Sequence, residues 1–183
     1  MSPVIIRPRL GTDLPVLARV LREQQSETQY PFRDPLPIPV DQFLHAEDAL
    51  AAWTAELDGL PVGHVCRTGP PAGSPDARRL NEACAEAHGC EVAELGWVST
   101  LFVRSDVRGC GVGQRLLDAV VTDIRAAGLR PCLEVLPVHP AAVVTLYRRG
   151  GWSYVLSLRP DWLRDAADEA GPDVVVMALL PRA

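Results

Sequence analysis

The sequence contains no lysine: all 18 of its basic residues are arginine. That absence excludes chemistries that need a side-chain amine. A Walker A loop reaches the β- and γ-phosphates with lysine. A protein kinase carries a lysine on its third strand. Pyridoxal-phosphate and Schiff-base enzymes use one as their amine. Asparagine is almost missing too, with Asn81 alone, and the two shortages together fit the codon usage of a GC-rich genome. Long apolar runs are also lacking. No stretch approaches about 18 uninterrupted apolar residues, so no membrane-spanning helix is expected. The start, MSPVIIRPRL, has neither the h-region nor the cleavage site of a signal peptide. The five cysteines, at 66, 84, 90, 110 and 132, are odd in number and scattered. They form no disulfide framework, and a reducing cytoplasm is the expected compartment. With a pI near 5.3 and neither a basic run nor an interleaved aromatic stripe, the sequence gives no expectation of a nucleic-acid partner.

What remains is an ordinary globular composition, 48% hydrophobic and 22% charged over 183 residues. One domain spanning 1–183 is expected. Its charge is uneven. Residues 1–96 carry eight arginines against fourteen acids, whereas residues 97–159 carry eight arginines against four acids. An anionic ligand would favour the middle of the chain and a cationic one the N-terminal half.

Val4-Ile5-Ile6 suits a buried strand. Thr12 or Asp13 can cap a helix in which Leu14, Leu17, Ala18 and Leu21 repeat at helical spacing. Four prolines between Tyr30 and Val40 exclude a regular element there, and a short helix fits 41–46. Ala51–Leu57 and Pro61–Arg67 read as a hairpin around Asp58-Gly59. The stretch 69–91, opening GPPAGSPD, reads as a long flexible loop with a short helix at 78–87. Cys84, His88 and Cys90 lie in it at a zinc-like spacing, but no fourth ligand stands nearby in sequence, and no metal is expected. Strands at Leu95–Val103, Pro131–Leu136, Trp152–Leu158 and Val174–Leu180 follow. They are interleaved with helices at Gly111–Ala127 and Ala141–Arg149 and a helical excursion at 160–170. The order is that of a mixed α/β sheet, not a uniformly wound Rossmann fold.

The segment Arg108-Gly109-Cys110-Gly111-Val112-Gly113 joins a strand to a helix. Glycines let the backbone turn tightly and approach a ligand closely. The helix start offers unpaired N–H groups and the positive end of the dipole, which bind phosphate. The spacing is G-x-G-x-G, not the G-x-G-x-x-G of a dinucleotide loop, and it lies too late in the chain for a first βα turn.

This loop resembles the acetyl-CoA loop R/Q-x-x-G-x-G/A of the GNAT N-acetyltransferase superfamily, with Arg108, Gly111 and Gly113 in its fixed positions. LFVRSDVRGCGVGQRLLDAVV is similar to that family's core motif, and TLYRRGGW resembles its next signature. The resemblance implies a mostly antiparallel central sheet flanked by helices, with a splayed strand pair binding acetyl-CoA. It implies that the backbone of Leu101, Phe102 and Val103 pairs with the pantetheine arm. Arg108 and the N–H groups of Gly109, Cys110, Gly111, Val112, Gly113 and Gln114 would then hold the pyrophosphate. Arg104, Arg115, Arg148 and Arg149 are candidates for the outer phosphates. Tyr147 matches the family tyrosine that protonates the leaving thiolate. Glu94 and Glu134 are the two candidates for the base. The family asparagine near the start of the tyrosine's helix is missing, and His139 stands there instead.

The implied function is transfer of an acetyl group from acetyl-CoA to a primary amine by direct attack in a ternary complex. The acid-rich N-terminal half suits a small cationic acceptor, and Tyr30, Trp53 and Trp97 are available to line an apolar part of its pocket. The alternatives are a protein or peptide N-acetyltransferase, and a non-catalytic acetyl-CoA sensor of the same fold. Exposed terminal strands would allow a homodimer.

Overall fold

The computed structural model describes residues 3–32, 35–46, 48–136, 140–160, 163 and 173–181. In chain order the elements are β1 (Ile5–Pro8), α1 (Leu14–Glu23), α2 (Gln25–Thr28), α3 (Val40–His45), β2 (Ala49–Leu57), β3 (Leu60–Thr68), α4 (Pro75–His88), β4 (Leu95–Val103), α5 (Val112–Ala126), β5 (Arg130–Val135), α6 (Pro140–Arg149), β6 (Ser153–Leu158) and β7 (Val174–Ala178). This is the expected mixed α/β class: β1–β2, β2–β3, β5–β7 and β6–β7 are all antiparallel pairs. No described helix is long and apolar enough to cross a membrane. The chain divides into two compact units, Met1–Thr68 with Val98–Asp123, and Gly69–Trp97 with Ile124–Ala183.

In the first unit the strand order is β1-β2-β3-β4. The Asp58-Gly59 turn forms as the sequence requires. Both residues have positive φ, 52° and 76°, the geometry of a two-residue hairpin turn whose twist matches the strands. The buried face of α1, with Leu17, Ala18, Val20 and Leu21, packs with Leu44 and Phe102 in one apolar cluster. Asp13 precedes α1 but does not cap it with its side chain. The carboxylate turns back instead, accepting from the Leu10 N–H at 2.8 Å and from the Thr54 hydroxyl at 2.9 Å.

In the second unit β7 lies between β5 and β6. The short helix expected at 78–87 forms and extends further, over Pro75–His88, so fourteen residues of the stretch 69–91, expected to be mainly loop, belong to α4. Ser74 caps it, accepting from the Ala77 N–H at 3.1 Å, and Gly89 closes it in the left-handed conformation at φ 65°. Ala77, Leu80, Cys84 and Ala85 recur at helical spacing and are buried. Leu80, Cys84 and Ala85 pack in one cluster with Leu95, Trp97, Cys132, Leu158, Val176 and Ala178. Gly96 is required in this unit by close approach: a Cβ there would lie 2.7 Å from Ile124 Cγ2. The helix expected within 160–170 lies almost wholly outside the described residues.

Candidate acetyl-donor site

The first unit carries the glycine loop. Past Val103 the Arg104 N–H donates to the Val62 carbonyl at 2.8 Å, and a single 3-10 turn at Ser105–Val107 brings the chain to Arg108. Arg108 folds back, its Nε donating to the Val103 carbonyl at 3.0 Å, so the side chain closes the end of β4. Gly109 and Gly111 both stand at φ 77°, which a residue with a Cβ adopts only at a cost. A Cβ at either position would meet no atom within 4 Å. Backbone conformation therefore demands these glycines, and the space their hydrogens face is open. The helix α5 starts at once, with the Arg115 N–H bonded to the Gly111 carbonyl at 3.1 Å. The N–H groups of the first turn have no intrahelical acceptor and carry the positive end of the dipole. Buried Val112, Leu116, Leu117, Val120 and Ile124 anchor the helix, while Cys110 and Gln114 are exposed.

The loop thus follows directly on the strand that feeds it. Phe102 and Val103 bury their side chains and Leu101 half-buries its own, which leaves the backbone as their interacting part. Two of the candidate phosphate arginines are already engaged. Arg104 holds Asp106 through Nε at 2.5 Å and Nη2 at 3.0 Å, keeping that carboxyl below its ordinary pKa. Arg115 Nη1 donates to the Val4 carbonyl at 2.7 Å.

Sequence reading missed one feature of β4. Thr100 stands at φ 48° inside the strand. A β-branched residue in the left-handed region is a strained outlier, and such strain costs about 1–3 kcal/mol. Its carbonyl accepts from His64 Nδ1 at 3.1 Å, and its hydroxyl lies 3.1 Å from Cys66 Sγ. Nothing in a one-dimensional pattern marks Thr100, whose carbonyl is bonded by a residue 36 positions away.

The remaining candidates belong to the second unit. Tyr147, on α6, meets Trp152 edge-on with ring centroids 5.9 Å apart, and burial pushes its phenol up to about 12. Glu134 is half-buried on β5 opposite Val176, and burial pushes its carboxyl above the ordinary range. Glu94 differs from it. Its side chain is exposed, and Oε2 accepts from the Glu91 N–H at 2.8 Å, closing the short turn before β4. Arg148 and Arg149 are exposed in the last turn of α6, where their charge complements the helix dipole. His139 lies outside the described residues.

Other sequence candidates have structural places. Trp97 is core in the second unit, not a pocket wall. In the first unit Tyr30 is half-buried against Phe43, with ring centroids 6.5 Å apart. Cys84 is buried in hydrogen-bonding contact with Cys132, and His88 Nε2 lies 3.2 Å from the Pro131 carbonyl. Among the described residues no three His, Cys, Asp or Glu side chains converge as metal ligands.

Comparison with known proteins bears on the fold and the family. The "IAA acetyltransferase" of Azospirillum brasilense is 38% identical over 58 residues; the match covers 32% of this chain and spans only 38% of that protein. The ribosomal-protein-alanine N-acetyltransferase of Brucella melitensis shares the fold at a TM-score of 0.67 and 21% identity, covering 95% of this chain and 98% of its own. The structure of yncA from Salmonella typhimurium, solved with its cofactor acetyl-CoA, aligns at a TM-score of 0.68 and 16% identity over 100% of this chain and 97% of its own. The model of the acetyltransferase (GNAT) family matches residues 17–151, and the chain belongs to that family.

Proposed function

We propose that the protein is an acetyl-CoA-dependent N-acetyltransferase acting on the primary amine of a small cationic molecule. The observation that carries this reading is the loop at Arg108–Gly113. Its two left-handed glycines face open space beside the first turn of a long helix. Such a cradle suits a pyrophosphate, and it suits a chain without lysine, since backbone N–H groups supply the donors. Acetyl-CoA, when bound, supplies the acetyl group activated as a thioester.

The roles of this chain's residues follow from their chemistry. The N–H groups of Gly109 to Gln114 bind the pyrophosphate, and the backbone of Leu101–Val103 orients the pantetheine arm. Tyr147, with its phenol near 12, keeps its proton at neutral pH and holds it for the departing thiolate. Of the two carboxylates, Glu134 is the better base. Its raised pKa makes it a stronger proton acceptor than an ordinary glutamate, whereas Glu94 is committed to the Glu91 N–H. The surplus of acids in residues 1–96 supports a cationic acceptor.

Calorimetry with acetyl-CoA tests the first half of the reading, and release of free thiol tests the second. The amines would be spermidine, an aminoglycoside, free amino acids and an alanine-terminated peptide. Binding and turnover on a small cation are expected. Turnover on the peptide alone would replace the acceptor with a protein N-terminus. Binding without turnover on any amine would leave a sensor. Absence of binding would overturn the proposal.

A further inference from the structure

We propose that His64 and Arg9 act as positioning residues for acetyl transfer, holding the left-handed turn at Thr100 in β4. This deepens the reading above and rests on it. Four observations within the first unit converge. Thr100 is strained at φ 48° in mid-strand, so something must hold it there. His64 is fully buried on β3 and reaches the Thr100 carbonyl with Nδ1 at 3.1 Å. The opposite ring nitrogen, Nε2, lies 3.1 Å from Arg9 Nη1. The same Nη1 donates to the Leu44 carbonyl, and Nη2 donates to the His45 carbonyl at 3.4 Å.

The hydrogen-bond roles are fixed by elimination. A guanidinium only donates, so Nε2 accepts and the ring proton sits on Nδ1, the tautomer that can hold the Thr100 carbonyl. Burial and the neighbouring Arg9 keep the ring neutral, lowering its pKa to about 4, so the tautomer is not disturbed near neutral pH. A buried hydrogen-bonded chain therefore runs from the end of α3, through Arg9 and His64, to the one strained peptide of β4. A side chain needed only for packing would not require a buried ring bonded at both nitrogens.

The position of Thr100 gives this chain its meaning. It precedes Leu101–Val103, the stretch assigned to the pantetheine arm, and the glycine loop follows that stretch. An arm that starts at the loop and runs back along β4 carries its thioester toward Thr100. A left-handed residue takes the peptides beside it out of the regular ladder and re-aims them. The turn would set what the thioester carbonyl meets, while the loop sets affinity.

The test uses the full chain and acetyl-CoA labelled with 13C at the acetyl carbonyl. In the wild type the carbonyl resonance is expected to move on binding. His64→Leu should bind acetyl-CoA within about threefold of wild type by calorimetry yet return the bound resonance toward its free position. His64→Asn, whose amide can donate in place of Nδ1, should restore part of the displacement. With an accepted amine, His64→Leu should lower kcat and leave KM for acetyl-CoA nearly unchanged. A bound resonance in His64→Leu identical to wild type would overturn the proposal, as would a loss of acetyl-CoA affinity matching the loss of kcat. Should His64→Leu fail to fold, Arg9→Met takes its place under the same criteria, since it frees Nε2 and leaves the ring. A wild type that binds no acetyl-CoA would instead remove the functional reading itself.

Discussion

Arg7 grips Asp13 with both terminal nitrogens, Nη1 to Oδ2 at 2.7 Å and Nη2 to Oδ1 at 2.8 Å, while its Nε holds Glu56 at 2.7 Å. The fork ties β1 to the start of α1 and to β2. Asp13 is buried, and its bonds to Arg7, Leu10 and Thr54 outweigh desolvation, drawing its carboxyl down to about 2. A carboxyl whose folded pKa lies below its unfolded value contributes stability that is complete above the unfolded pKa, near 4. That contribution disappears as pH falls toward 2. Asp13→Asn should lower the melting temperature at pH 7 and flatten the acid side of the stability profile between about pH 4 and 2. Thermal melts across that range decide it. An acid limb as steep as that of the wild type would show that other carboxylates set it.

Tyr147→Phe keeps the ring against Trp152 and removes only the hydroxyl. Loss of a general acid costs typically about 10²–10⁴-fold in rate. The variant should show kcat lowered by about 100-fold at unchanged acetyl-CoA affinity. Unchanged turnover would release the tyrosine from the proton role.

Glu134→Gln separates chemistry from stability by opposite signs. A carboxyl whose folded pKa is raised above its unfolded value destabilises the fold once pH exceeds the unfolded value. The neutral amide should therefore leave the melting temperature at pH 7 equal or higher. Turnover should fall, and the rise of kcat/KM with pH that reports deprotonation of the base should vanish. A drop in stability with full activity would mark Glu134 as structural.

Two glycine substitutions contrast a ligand cradle with a packing contact. Gly111→Ala places a methyl where no protein atom lies within 4 Å, at φ 77°. It should cost about 1 kcal/mol of stability through backbone strain and weaken acetyl-CoA binding by at least about tenfold. Gly96→Ala drives a Cβ to 2.7 Å from Ile124 Cγ2, where overpacking costs about 1–3 kcal/mol. Its binding constant should match wild type at a temperature where it is folded. Denaturant melts and calorimetry read both.

Much of the fold was legible because its signals are local. The Asp58-Gly59 turn, the apolar spacing of α1 and α5, and the run Leu95–Val103 each specify themselves within a few residues. The glycine loop was legible for the same reason. The core of α4 is legible at 78–87, but its full extent is masked by composition. Its buried stripe is built of Ala77, Leu80, Cys84 and Ala85, mostly small residues with a weak apolar signal, and its start lies within the turn-like GPPAGSPD. The Ser74-Pro75 start and the Gly89 stop were present and could have outweighed composition. Thr12 and Asp13 are equal candidates for the cap in sequence, which shows residues beside a helix but not the guanidinium that reaches Asp13 from β1. Thr100 and His64 were invisible for the strongest reason: their relation exists only once β3 and β4 are formed.

Cys110 sits exposed in the middle of the loop, while burial raises the pKa of the Cys66 thiol, contact with Cys84 together with burial raises that of Cys132, and Cys84 is sealed in the core. The protein therefore carries a built-in chemical reporter at the place where the donor would dock. A maleimide or alkylating label would find this thiol ahead of the three buried ones. Its labelling rate would follow occupancy of the loop, with no acceptor amine needed to make binding visible.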